Sequence, residues 1–263
     1  MLAEKYILQG TGFYKKLSKS FSYFDSFFKL KPLRWFAVWA IIISGNNVAI
    51  HLENRWSYWS WESFSLYLIF ALIISSFIDF IFSTKASNVV NKSFYFEQVK
   101  SLFYGFMLFL IGANPLNLSF DLLFFGLPYI LFFFIGHLTW EIPLNLFNTS
   151  SPHKKDFAPF LTLIIICTFF ASGIGYINDD PMISTIAAVF LPFPIVAILF
   201  PLAIRHLQRC RMYVVFIPTM FLSMRYPWFL FMILPLFLFS RYYFYFTRGN
   251  VIPTFKVDHP DQE

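Results

Sequence analysis

The chain has 263 residues, of which 58% are hydrophobic, 23% aromatic and 13% charged, with a mean hydropathy of +0.62 and a net charge of +6. That usage excludes an ordinary water-soluble domain, and the division of the basic residues among several loops argues against nucleic-acid binding. Two cysteines, Cys167 in an apolar run and Cys210 in a basic one, support neither a disulfide framework nor a cysteine metal site.

Residues 1–32 read as a cytoplasmic N-terminal segment that is retained, because they lack the short apolar core followed by small residues of a cleaved signal peptide. Within them Phe13, Tyr14, Leu17, Phe21, Phe24, Phe27 and Phe28 recur at helical spacing against Lys15, Lys16, Lys19 and Lys29. Such a pattern predicts an amphipathic helix lying in the membrane interface. A bilayer needs about 20 apolar residues per crossing. On that measure residues 33–245 form an all-α, polytopic transmembrane bundle, with spans near 33–51, 64–84, 100–113, 118–138, 157–177, 182–203, 211–224 and 227–245. The third and seventh are short, so each is either a steep crossing or half of a broken helix. Residues 246–263 are a cytoplasmic tail, in which Gly249 and Pro253 stop the last helix.

Orientation follows from the loops, since Lys and Arg collect on the cytoplasmic side. With both termini inside, 18 of the 20 basic residues fall there, and only Arg55 and Arg225 lie outside. The expected location is the bacterial inner (cytoplasmic) membrane, with the bilayer itself as the main partner. Trp56, Tyr58, Trp59 and Trp61 between the first two spans predict an outer aromatic belt, and Trp140, Tyr226, Trp228, Tyr242, Tyr243 and Tyr245 suit the same role at other span ends.

Few groups are equipped for chemistry. Charged side chains at membrane depth are costly and mark candidate sites. Asp79 near the end of span two and Glu141 just after span four stand on the cytoplasmic side, where functional use and simple pairing or snorkelling both remain open. Asp121 reads as a solvated helix end, and Asp179-Asp180 before Pro181 as a solvated turn. His137 alone among the histidines lies inside a span. Its nearest counterpart, His51, falls on the opposite side, so paired heme ligation is not indicated and a helix-end hydrogen bond is the simpler role. Neither metal-ligand spacing nor a phosphate loop occurs.

Around the second span the order of residues resembles the UbiA-type intramembrane prenyltransferases, which join an isoprenoid diphosphate to an acceptor inside a helical bundle. Lys31-Pro32-Leu33-Arg34-Trp35 is similar to the Arg-Pro-x-x-Trp that precedes the first span in that family. The stretch from Ser75 to Ser83, with Asp79 within it, stands where the family has Asn-Asp-x-x-Asp-x-x-x-Asp, and Asn91-Lys92-Ser93 where it has Asn-Arg-Pro. The segment from Phe96 to Trp140, turning at Asn114-Pro115-Leu116, resembles the third and fourth family helices, and the likeness covers roughly residues 30–210. The resemblance implies a diphosphate site with Asp79, Asn91, Lys92, Glu141, Arg205, His206 and Arg209 as candidate substrate-binding residues, and magnesium as cofactor only if prenyl transfer is retained. At the place of the family's second aspartate cluster the chain has Arg205, Arg209 and Arg211, which inverts the local charge, and the family commonly has nine spans rather than eight.

The leading expectation is therefore a protein that holds an isoprenoid-tailed lipid, quinone or pigment among its 39 phenylalanines, with metal-dependent transfer lost or altered. Whether it is an enzyme stays open. Two alternatives come from other classes: the permease subunit of an ATP-driven transporter, and an accessory subunit of a larger membrane complex.

Overall fold

The structure, a computed structural model, describes residues 2–29, 35–61, 64–86, 94–114, 116, 119–142, 154–200 and 204–249. Twelve helices run through them: α1 (Leu2–Tyr6), α2 (Gly12–Ser22), α3 (Asp25–Lys29), α4 (Trp35–Ile50), α5 (Leu66–Ala86), α6 (Phe94–Ala113), α7 (Phe120–Glu141), α8 (Lys154–Ile177), α9 (Pro181–Phe190), α10 (Pro192–Leu199), α11 (Ile204–Arg225) and α12 (Pro227–Arg248). No strand occurs among the described residues. Among the described residues four stretches are long and apolar enough to cross a membrane: Phe120–Glu141, Phe157–Ile177, Pro181–Leu199 and Pro227–Arg248. The class expected from composition, an all-helical membrane protein, is what the fold displays.

Local chemistry explains the helix ends. The Ser119 hydroxyl accepts from the Leu122 amide at 3.1 Å and opens α7, and the Asp180 carboxylate does the same for Met182 and Ile183 at the start of α9. Pro181, Pro192 and Pro227 each occupy a first helical turn, where no amide hydrogen is needed. Gly249 closes α12 in the left-handed region at φ 75°, as its position in the sequence predicts. Buried hydroxyls are satisfied inside their own helices: Ser44 donates to the Ala40 carbonyl, Thr139 to Ile135, Thr168 to Ile164 and Ser223 to Thr219. This is how polar residues enter an apolar interior without the cost of an unmet donor.

Two segments differ from their expected form. The short spans at 100–113 and 211–224 are the C-terminal parts of full helices of 20 and 22 residues, α6 and α11. Glu97, Lys100 and the run from His206 to Arg211, which read as loop because they are charged or polar, are helical, since long polar side chains near a helix end reach water without ending the helix. The interruption instead falls in the sixth span, where α9 gives way to α10 at Leu191 and Pro192.

At the centre α4 packs along α6, flanked by α5 on one side and α7 on the other; α11 then closes over α4 and α7 and carries α12. Gly45 and Gly112 make the α4–α6 approach possible, because a Cβ on either would overlap a main-chain oxygen of the facing helix, that of Phe109 or of Ile42. Ile42, Ile43, Phe109, Ile135, Ile164 and Phe190 fill the interior around this pair. The N-terminal helix α2 leans on the last turns of α12 through Tyr14, Leu17 and Phe21. Tyr243 and Tyr245, expected in an interfacial belt, are buried there: the Tyr243 hydroxyl donates to Asp25 at 2.7 Å and that of Tyr245 to the Ile7 carbonyl at 2.7 Å.

Candidate functional site

Among the described residues, those singled out for a head-group site stand on three helices, α5, α7 and α11. Asp79 is buried in the C-terminal half of α5, whose main packing partners are α4 and α6. Arg209 is exposed and His206 half-buried beside the Phe200 ring, both on α11, which packs chiefly on α4, α7, α9, α10 and α12. Glu141 is exposed at the end of α7, with Oε1 4.0 Å from Nε2 of His137. Asn91 and Lys92 lie outside the described residues, and so do the side chain of Arg205, residues 143–153 and residues 250–263.

The basic run is a helix rather than a loop, and that separates its charges. At about 100° per residue, Arg211 points away from Arg209. It is spent on α7: the guanidinium donates to the carbonyls of Thr139 at 3.4 Å, Trp140 at 3.1 Å and Ile142, and lies 5.2 Å from the centre of the Trp140 ring. Those carbonyls are the unmet acceptors of a helix C-terminus, where a cation also meets the negative end of the helix dipole. Arg211 is therefore a cap for α7, not a member of a three-arginine cluster.

Between α5 and α6 runs an apolar groove of about 230 Å³, lined by Tyr67, Phe70, Ile74, Ser75 and Ile78 on α5 and by Ile111 on α6. Tyr67 spans it at one end, its hydroxyl donating to the Ile111 carbonyl at 2.5 Å. Phe70 and Ile74 are more than half exposed, so the groove opens to the side of the bundle. The buried Asp79 follows Ile78 at its other end.

The densest polar constellation sits where α11 turns into α12. Arg225 is completely buried; it donates to Asn47 Oδ1 at 2.8 Å and to the Arg55 carbonyl, and its guanidinium lies 4.9 Å from the centre of the Tyr58 ring. The Tyr226 hydroxyl donates to the same Asn47 oxygen at 3.0 Å, while Asn47 Nδ2 donates to the Tyr129 oxygen at 3.3 Å. Tyr129 in turn donates to Asp180 Oδ2 at 2.9 Å. The chain Arg225, Asn47, Tyr129, Asp180 thus joins α11, α4, α7 and the start of α9, with the charge at one end balanced by a carboxylate at the other. Burial raises the pKa of the Tyr226 hydroxyl, with the Arg225 charge opposing, so it remains a donor at neutral pH.

The loop between α4 and α5 is drawn into the same construction. The Ser60 amide donates to the Arg225 carbonyl at 2.8 Å, Arg55 donates to the Asn178 carbonyl, and Trp56 Nε1 donates to Asp179 Oδ2 at 3.2 Å. Arg55 also lies 3.3 Å from the centre of the Phe125 ring. Three readings from the sequence are corrected here. Asp180 is buried and bonded on both oxygens rather than solvated, whereas Asp179 is exposed as a turn residue should be. Tyr226 and Trp228 are interior residues, not belt residues. The signal was present in the charge pattern, since Arg55 and Arg225 are the two basic residues that the expected topology leaves on the far side.

No family model, curated protein or solved structure matches this chain. The likeness to the UbiA-type enzymes accordingly rests on the residues quoted above and on nothing further. Among the described residues no three His, Cys, Asp or Glu side chains gather as a metal site would require.

Proposed function

We propose that this protein is an eight-crossing bundle with both termini in the cytoplasm that holds an isoprenoid-tailed lipid, as a divergent relative of the UbiA-type prenyltransferases without their metal-dependent transfer step. The observation that carries the reading is the α5–α6 groove. Its walls are almost wholly apolar, and it opens sideways toward where lipid would lie, as a site for an apolar tail requires. Counting α9 and α10 as one broken passage, α4 to α12 supply eight passages joined end to end, in keeping with the bias of 18 of 20 basic residues to one side. The loss of transfer is supported by Arg211, which stands near the position of an expected carboxylate cluster and is committed to the end of α7.

Two measurements test this. Lipid mass spectrometry on the full chain purified in mild detergent is expected to find an isoprenoid lipid at about one per protein, and Ile74→Trp, which fills the groove from an exposed position, is expected to remove it. Bulk phospholipid alone, or retention by the variant, would count against the groove. Robust chelator-sensitive prenyl transfer abolished by Asp79→Ala would overturn the non-catalytic reading. For topology, reporter tags at positions 1 and 263 should both read cytoplasm; a reading from the far side for the second tag would show that one of the eight helical passages does not cross.

A further inference from the structure

Helix α2 has one side occupied by protein. Tyr14 and Phe21 pack on Phe246 with ring centres 5.5 and 5.1 Å away, the Tyr14 hydroxyl donates to the Tyr245 carbonyl at 2.8 Å, and Leu17 fills the space between. Phe21, Phe24 and Phe28 then surround Phe239 at 5.8, 5.0 and 5.6 Å, and Phe28 stacks on Tyr243 at 3.6 Å. At about 100° per residue, Lys15, Lys16 and Lys19 fall together on the side opposite Tyr14, Leu17 and Phe21. All three are exposed, α2 contains no acidic residue, and the nearby Asp25 is engaged by Tyr243. Phe13 and Tyr23, 60% and 77% exposed, flank the lysines.

The contacts set the depth of this face. Helix α12 is long and apolar enough to cross a membrane, and α2 packs on its final turns, where such a helix leaves the hydrocarbon. We propose that the Lys15, Lys16 and Lys19 face of α2 is a binding surface for the head groups of anionic phospholipids. Because the apolar side of α2 is taken up by α12, the helix does not sink into the lipid; it presents its lysines sideways into the head-group layer, with Phe13 and Tyr23 beside them. Lysines near an anionic surface are attracted individually, without the fixed geometry that a single-ligand pocket demands, and a stripe with no acidic residue on its own helix has the complementary charge.

The test uses the full chain in mild detergent, titrated with phosphatidylglycerol, phosphatidylcholine or inorganic phosphate and read by native mass spectrometry. Wild-type protein is expected to prefer phosphatidylglycerol, with a preference that falls as salt rises. The triple variant Lys15→Gln, Lys16→Gln, Lys19→Gln should lose that affinity on the order of 100-fold, whereas the triple Lys→Arg variant should keep it; the latter decides the matter if the Gln variant fails to fold. Equal binding of the two lipids by the wild type, loss of the preference in the Arg variant, undiminished preference in a folded Gln variant, or equally tight binding of inorganic phosphate would overturn the proposal.

Discussion

Asn47→Leu is expected to destabilise the folded protein by about 3 kcal/mol, among the largest effects of any single polar substitution in the chain. The change is close in volume, so little of the loss comes from a cavity. It comes from three groups that each lose a hydrogen-bond partner at once: Arg225 keeps the Arg55 carbonyl but loses the Asn47 oxygen, the Tyr226 hydroxyl loses its acceptor, and Tyr129 keeps Asp180 but loses a donor. A buried guanidinium is the most costly of these, because it cannot shed its proton. Melting of the detergent-solubilised protein, followed by circular dichroism, provides the check. Adding Arg225→Met to Asn47→Leu should recover part of the loss, since removing the whole charge is cheaper than stranding it. If the single variant melts like the wild type, the guanidinium is satisfied by another route and the network is not the fastening of this end of the bundle.

Gly112→Ala is expected to cost about 3 kcal/mol or more, although it adds one methyl group to an apolar interface. The new Cβ would collide with the Ile42 carbonyl, and a main-chain atom cannot rotate aside as a side chain can. Helices α4 and α6 must move apart, and Ile111, next to the substituted residue, moves with them. The α5–α6 groove should therefore lose its lipid in the same experiment that records the fall in melting temperature. Gly45→Ala should behave alike, for the Phe109 carbonyl faces it. The control is Gly173→Ala, where nothing lies within 4 Å; there the better helix former should be neutral or stabilising by up to about 1 kcal/mol. Equal melting of the Gly112 and Gly173 variants would mean that the two helices have room to spare.

The helical membrane class was legible without a structure, because the length of apolar runs, and the proline and glycine within them, are properties of the linear chain and report directly on the solvent it needs. Helix ends marked by particular residues were equally legible, as at Gly249. Span boundaries near charged residues were not, since Glu97 and the Arg205 to Arg211 run are helical: a polar residue near a helix end is tolerated in water, and hydropathy counts it as loop. What only the tertiary structure decided is which residues meet. Asn47, Tyr129 and Arg225 belong to three different helices and Asp180 caps a fourth, all far apart in the chain, so their convergence depends on helix rotation and depth, which in turn depend on close contacts such as Gly45 against Phe109. The same packing turns Arg211 onto α7. One-dimensional spacing carries the period of each helix but not the angle at which one helix is presented to the next, and the candidate site lies in that angle.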